Sequence, residues 1–195
     1  MSLRAIARQS RSKCVANMPG YEIASSFLLA MTFFIYHMPS QILLATHINA
    51  PVEKVFDIAR NIDVHVESTK HTGERAIAGR TTGLIELGET VTWRAKHFGI
   101  WQNLTSKITE IDYPNYFTDI QVEGAFKSFT HEHYFYPILN QTMMRDIFTF
   151  ESPGGILGDA VNFLFLSNYM TQLLVKRNEV IKQVAEAPQP PKGGA

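Results

Sequence analysis

The sequence predicts an α+β fold in which a curved antiparallel sheet wraps around one long C-terminal helix. From Glu89 to Glu151, apolar and polar residues alternate with period two, and short turns interrupt the alternation. This pattern is typical of an antiparallel meander. After Gly154-Gly155 the apolar residues recur with a period of 3.6, which indicates a helix with one apolar face. A sheet that closes on a single helix leaves an interior space.

The elements before the meander are short. Residues Gln41 to Ile48 alternate and predict the first strand. Ala50-Pro51 then starts a helix, because proline is favoured where the missing N–H would have no partner. A second short helix is expected over Ile62 to Thr69. Two short strands are expected at Glu74 to Ala78 and at Leu84 to Leu87, separated by glycine-containing turns.

The meander itself divides into five strands. The four turn signals between them are Gly99, Tyr113-Pro114-Asn115, Gly124 and Pro137 to Gln141. The expected strands are Thr90 to Phe98, Ile100 to Ile111, Tyr116 to Val122, Phe129 to Tyr136 and Thr142 to Phe150.

Three segments follow from these patterns. Residues 41–186 form the patterned domain, and the Pro/Gly-rich residues 187–195 are expected to be a solvated tail. Residues 1–40 form an extension whose uncharged run, Ile23 to Tyr36, is too short to span a bilayer as a helix. It has three interpretations: sequence upstream of a mis-assigned start, a signal-like segment, or an interfacial anchor. The protein is expected to be cytoplasmic, or alternatively membrane-associated through residues 21–38, the one stretch expected to contact a membrane.

Composition excludes several functions. Lys and Arg number 18 and Asp and Glu number 18, so no basic face for nucleic acid is implied. The single cysteine, Cys14, lies outside the patterned domain, which excludes thiol catalysis there. Neither a phosphate-binding loop nor a Gly-x-Ser-x-Gly motif is present. We expect no cofactor and no metal, and a monomer or homodimer.

Chemistry-bearing residues fall on the predicted inward faces of the last two strands. His131 and His133 share a face with Phe129 and Phe135, and Asp146 shares one with other apolar residues of the next strand. A buried carboxylate is costly unless it is paired, and a neighbouring histidine would keep it ionised. Three interpretations remain open: a satisfied structural pair, a polar anchor for a ligand, or a general acid/base.

The predicted binding residues extend this pair along the expected cavity wall. Trp93 and His97 share one strand face, which provides an aromatic wall with a polar tip. His-x-His on a strand could also hold a metal with Asp146 or His97 as third ligand, although nothing in the sequence selects that third position. The candidate ligand-binding set is Trp93, His97, His131, His133, Met144, Asp146, Phe148 and Phe163.

Three stretches carry a family resemblance. They are INAPVEKVF at 48–56, GLIELGETVTWRAKHFG at 83–99 and GAFKSFTHEH at 124–133. With the element order, they resemble bacterial members of the SRPBCC superfamily, which includes START-like lipid-binding domains and polyketide cyclases. The resemblance covers about residues 41–185.

The resemblance implies the helix-grip fold and a deep cavity between sheet and helix. It implies binding of a small hydrophobic or lipid-like molecule. The first alternative is a cyclase or dehydratase that uses a His/Asp acid–base pair in the cavity. The second is a non-catalytic interaction or stress protein with a filled core. The resemblance carries no fixed catalytic set over to this sequence. We expect a binding protein in preference to an enzyme, and an enzyme would be a lyase of the cyclase or dehydratase type.

Overall fold

One antiparallel sheet of seven strands and one long helix dominate the structure. It is a computed structural model that describes residues 39–152 and 155–188, with side chains described outside 155–164. The predicted extension and most of the predicted tail therefore lie outside the described residues. The strands are β1 (Ser40–Ile48), β2 (Arg75–Gly79), β3 (Thr90–His97), β4 (Ile100–Asp112), β5 (Tyr116–Glu123), β6 (Ser128–Ile138) and β7 (Gln141–Glu151). The helices are α1 (Val52–Ala59), α2 (Ile62–Ser68) and α3 (Gly155–Glu186), and a 3₁₀ turn spans Lys70–Thr72.

The sheet order is β1-β7-β6-β5-β4-β3-β2, and every neighbouring pair is antiparallel. The first strand thus pairs with the last, with Ser40 opposite Phe150 and Ile48 opposite Thr142. This closing pair, followed directly by α3, confirms the predicted fold class. The order of strand, two short helices, meander and long helix is also as expected.

One predicted strand is wrong. Residues 84–87 are not part of the sheet, and Leu84 makes only an isolated bridge with Asn61. The reason lies in the backbone hydrogen bonds of this stretch. The amide of Ile85 donates to the carbonyl of Arg60, and the carbonyl of Gly83 accepts from Ile62. These groups are satisfied by the junction of α1 and α2 instead of by a strand.

The short helices follow from local sequence. Pro51 precedes the first residue of α1, and Val55, Phe56 and Ala59 form its buried face. Asn61 caps α2, because its side-chain oxygen accepts from the amides of Asp63 and Val64. The cap holds α2 in place directly after α1, so the pair covers one end of the sheet.

Helix α3 has 32 residues and a length of about 48 Å. It lies against β1, α1 and α2. Leu174, Ile181 and Ala185 face inward, whereas the neighbouring Val184 is 40% exposed. Ala185, one position further on, takes the inward place. Within the described part of the chain, no helix combines the length and apolarity needed to cross a bilayer.

The predicted inward faces of the strands are confirmed by burial. Phe129, His131, His133 and Phe135 are buried, and their neighbours on β6 are more exposed. Two apolar groups result. One packs around Phe56 beneath α1 and α2, and the other packs around Phe148 and Phe150. Among the residues that the structure describes, α3 lies closest to β1, and space remains between this helix and the middle strands.

Candidate functional site

A cavity of about 490 Å³ lies between α3 and the middle strands of the sheet. Its wall is mainly apolar, and the strands β3 to β7 contribute alternate side chains to it. Larger contributors include Trp93, Leu104, Phe117, Phe129, Phe148 and Leu174. A space of this size with an apolar wall and a few polar groups is typical of small-molecule sites.

The structure brings most of the predicted binding residues to this wall. The cavity is lined by Trp93, His97, His131, His133 and Phe148. Met144 and Asp146 are fully buried behind the wall and do not line it. The side chain of Phe163 lies outside the described residues. Binding of a ligand by any of these residues stays a prediction.

Asp146 is the centre of a group that we call the inner cluster. Its Oδ1 lies 3.2 Å from Nε2 of His131 and 2.9 Å from Nδ1 of His133. Its Oδ2 accepts from Nδ2 of Asn178 at 2.6 Å. Asp146 is wholly buried, so these donors replace the water that it would otherwise bind. The members of the inner cluster are Asp119, His131, His133, Asp146, Arg177 and Asn178.

His133 connects two carboxylates. Its Nδ1 faces Asp146, and its Nε2 lies 3.1 Å from Oδ1 of Asp119. Each ring nitrogen of His133 thus lies within hydrogen-bond distance of a carboxylate oxygen. The ring also stacks on Phe117, with centroids 4.1 Å apart. His133 therefore fastens β5, β6 and β7 together.

Arg177 brings the helix into the cluster. Its guanidinium donates to the carbonyl of Ala59 at 3.0 Å and lies 3.4 Å from Oδ1 of Asp146. The guanidinium of Arg177 thereby places a positive charge beside the buried carboxylate of Asp146. Asn178 adds a second link, since its side-chain amide also reaches Oγ1 of Thr46 on β1 at 3.3 Å. The helix is thus joined to both β1 and β7.

Burial and pairing set the protonation states. Burial alone would raise the pKa of Asp146, but hydrogen bonds from His131 and His133 hold that pKa well below its usual range. Burial would also raise the pKa of Asp119, but its hydrogen bond with His133 and the nearby positive charges lower that pKa. Burial, helped by the charge of His133, lowers the pKa of His131 to about 4. His131 is therefore neutral near pH 7 and, with its proton on Nε2, donates to Asp146.

Sequence reasoning missed three members of the inner cluster. Arg177 and Asn178 lie between Leu174 and Ile181 on the apolar stripe of α3, and a charged side chain on such a stripe signals a buried partner. Asp119 gave a weaker signal. Both Phe117 and Thr118 before it are buried, so β5 does not alternate cleanly.

The cluster also contains a set of side chains able to hold a metal ion. Asp119, His131 and His133 each offer one ligand atom, and the three atoms lie within 4.8 Å of one another. The carboxylate in this set is Asp119. Neither Asp146 nor His97, the two third ligands considered from the sequence, belongs to it.

A second polar group, the outer cluster, lines the cavity closer to solvent. It consists of His65, Glu74, His97 and Tyr169. Nε2 of His65 lies 2.7 Å from Oε1 of Glu74, and Nδ1 of His97 lies 2.7 Å from the Tyr169 hydroxyl. Burial lowers the pKa of His97 and raises that of Tyr169. The ring of His65 stacks on Trp93, with centroids 4.1 Å apart.

A seven-stranded antiparallel sheet that holds a long C-terminal helix over a mainly apolar cavity defines the helix-grip class of proteins. Comparison with known proteins agrees at the level of the fold. No family model matches this chain, and no curated protein matches it in sequence.

Solved structures match the chain closely in fold and weakly in sequence. The ZhuI aromatase/cyclase from Streptomyces sp. R1128 has a TM-score of 0.65 at 13% identity, covering 80% of this chain and 99% of that one. A Thermus thermophilus protein has a TM-score of 0.60 at 19% identity, covering 76% and 100%. A START superfamily protein from Mycobacterium smegmatis has a TM-score of 0.57 at 12% identity, covering 74% and 98%. These likenesses confirm the helix-grip fold that was expected from the sequence.

Proposed function

We propose that this protein binds a small, largely apolar molecule in the cavity between α3 and the sheet. The observation that carries the proposal is the cavity itself, with a volume of about 490 Å³ and a wall made mainly of aromatic and aliphatic side chains. Transfer of apolar surface from water to such a wall is favourable at about 25 cal/mol per Å². A protein with a filled core would not contain this space.

The polar groups on this mainly apolar wall favour a ligand that carries oxygen atoms. His131, Asp119 and Arg177 lie on one part of the wall, and His97 and Tyr169 lie on another. Polar groups in an apolar pocket orient a ligand and select against molecules that leave them unpaired. We propose a hydroxylated or carbonyl-bearing hydrophobic molecule as the partner.

The acid–base alternative has less support. Asp146 has donors at both oxygens and does not line the cavity, so it is not placed to exchange protons with a ligand. Both nitrogens of His133 are engaged by carboxylates. Asp146 and His133 thus resemble parts of a structural network that already have their partners, whereas a general base must reach the proton that it removes. His131 lines the cavity and uses only Nε2 in this network, so it is the one member of the predicted pair that faces a ligand.

The fold of the neighbours is compatible with this proposal without identifying a ligand. One structural neighbour is named as an aromatase/cyclase and another as a START superfamily protein, at identities of 13% and 12%. These identities support a shared fold only. The proposal therefore rests on the cavity of this chain.

A pair of variants on one strand tests the proposal. Ala95 lines the cavity and Lys96, the next residue on β3, is exposed on the other face. Ala95→Phe should fill part of the cavity and reduce binding of the fluorescent probe 8-anilinonaphthalene-1-sulfonate at least tenfold. Lys96→Phe adds the same side chain outside and should leave binding unchanged.

Two results would contradict the proposal. One is absence of saturable probe binding to the wild-type protein. The other is an equal effect of both substitutions on proteins that circular dichroism shows to be folded. Native mass spectrometry of the gently purified protein should in addition show a mass increment that organic extraction removes, and that Ala95→Phe diminishes.

A further inference from the structure

Three potential metal ligands meet on the cavity wall where β5 and β6 pair. Asp119 lies directly opposite His131 in the register of these strands, and His133 follows two residues later on the same face. All three side chains line the cavity. The period of two along a strand is what brings both imidazoles to one side, next to the carboxylate.

We propose that Asp119, His131 and His133 bind a divalent transition-metal ion at the cavity wall. Two imidazoles and one carboxylate form the ligand set of catalytic zinc sites and of non-haem iron(II) sites. Such a site keeps one or more coordination positions open. Here those positions would face the cavity.

The spacing of the ligand atoms suits a metal. Nε2 of His133 lies 3.1 Å from Oδ1 of Asp119, and the full set lies within 4.8 Å. Two ligands at about 2.1 Å from one ion, separated by an angle between about 90° and 110°, lie roughly 3.0–3.4 Å apart. A metal ion could therefore replace the proton between these two atoms with little movement of either side chain.

The position of Asp146 independently supports a metal site, because its carboxylate contacts both histidine rings. Its Oδ1 lies within hydrogen-bond distance of Nδ1 of His133 and of Nε2 of His131. Metal-binding histidines almost always donate their second N–H to such a carboxylate, which orients the ring and makes it a better ligand. One nitrogen of each ring remains for the ion.

The surrounding charges indicate what would complete the coordination. Asp119 and Asp146 contribute two negative charges, Arg177 one positive charge and the ion two, so the occupied site carries a net charge of one positive. A buried net charge is costly unless it is compensated. The open position should therefore favour an anionic oxygen, such as hydroxide, a carboxylate or an enolate. This inference does not rest on the proposed binding of an apolar molecule.

Metal analysis of the purified chain, without an affinity tag, tests the inference. The protein is stripped with a chelator, dialysed against Zn²⁺ or Co²⁺ and passed over a desalting column before elemental analysis. We expect about one ion per chain. The visible absorption spectrum of bound Co²⁺ should be typical of an ion with a low coordination number. Asp119→Asn preserves the shape of the side chain and should weaken binding at least tenfold. Asp146→Asn, which leaves the ligands in place, should weaken binding about 10- to 100-fold.

Glu74→Gln is the matched control, since it removes a carboxylate beside a histidine elsewhere on the same wall. It should leave metal affinity unchanged. The inference is overturned if the wild-type protein retains no ion, or if Asp119→Asn and His131→Gln both bind as tightly as wild type. Probe binding, measured with the Ala95 and Lys96 variants, is a separate readout, so the two proposals can fail independently.

Discussion

The inner and outer clusters contain similar residues at two depths beside one cavity, and their hydrogen-bond networks differ. In the inner cluster one carboxylate, Asp146, has four side-chain partners that come from β6 and α3. In the outer cluster the contacts are pairs, one between His65 and Glu74 and the other between His97 and Tyr169. Asp146 is wholly buried, whereas the His65 side chain is 28% exposed.

The difference teaches that depth, more than residue type, decides the role of a polar group. A buried charge must be surrounded by partners, so the inner cluster joins strands and helix into one unit. A partly exposed pair can exchange its partner for water at small cost. We infer that the inner cluster stabilises the fold, and that the outer cluster is free to respond to a ligand.

Removal of the carboxylate of Asp146 should have the largest effect on the free energy of unfolding. Asp146→Ala leaves the charge of Arg177 and the buried donors around it without their acceptor. It should lower the free energy of unfolding by about 3–5 kcal/mol. Urea denaturation measures this change. Arg145→Ala, at the neighbouring exposed position, should alter stability by less than about 0.5 kcal/mol. A loss below about 1 kcal/mol for Asp146→Ala would contradict a stabilising role for the cluster.

The pH dependence of stability should depend on His131. The pKa of His131 is about 4 in the folded protein, against 6.5 as the ordinary value. Between these values the unfolded chain binds a proton that the folded protein does not, so stability rises with pH across this window. The rise is on the order of 3 kcal/mol.

His131→Gln should flatten the dependence between about pH 4 and 6.5, measured by urea denaturation at several pH values. His47→Gln, at an exposed position on β1, should keep the wild-type slope. An unchanged slope in His131→Gln would show that another group titrates in this window.

The pair of His65 and Glu74, beside Trp93, should contribute less to the free energy of unfolding. His65→Ala removes the stacking contact with Trp93 and the contact with Glu74, and should cost about 1 kcal/mol. The same substitution at the exposed His71 should cost less than half as much in urea denaturation. A loss equal to that of Asp146→Ala would remove the distinction between the two clusters.

The smallest effect is expected at the contact between β3 and α3. Tyr169→Phe removes the hydroxyl that meets His97 and should cost about 0.5 kcal/mol. If this contact restricts access to the cavity, the fluorescent probe should dissociate about twofold faster in stopped-flow measurements. Slower dissociation of the probe would contradict the idea that the contact between His97 and Tyr169 restricts access to the cavity.

Part of the candidate site could be predicted from the sequence because strand periodicity is local. Alternation along β6 and β7 placed His131, His133 and Asp146 on inward faces, and their burial confirms it. The same reasoning placed Trp93 and His97 on one face of β3. It also placed Met144 inward, but an inward side chain lines a cavity only where no helix or neighbouring side chain fills the space. Met144 is part of the packed core.

The sequence by itself determined the fold class, the order of the elements and the faces of the strands, because these depend on patterns within a few residues. Only the tertiary structure decided that Asp119 and Arg177 join the two histidines. Those contacts depend on the register of β5 against β6 and on the rotation of α3, which no local pattern specifies. The cavity likewise depends on how the described part of α3 packs against β1 and the short helices, with space left between it and the middle strands.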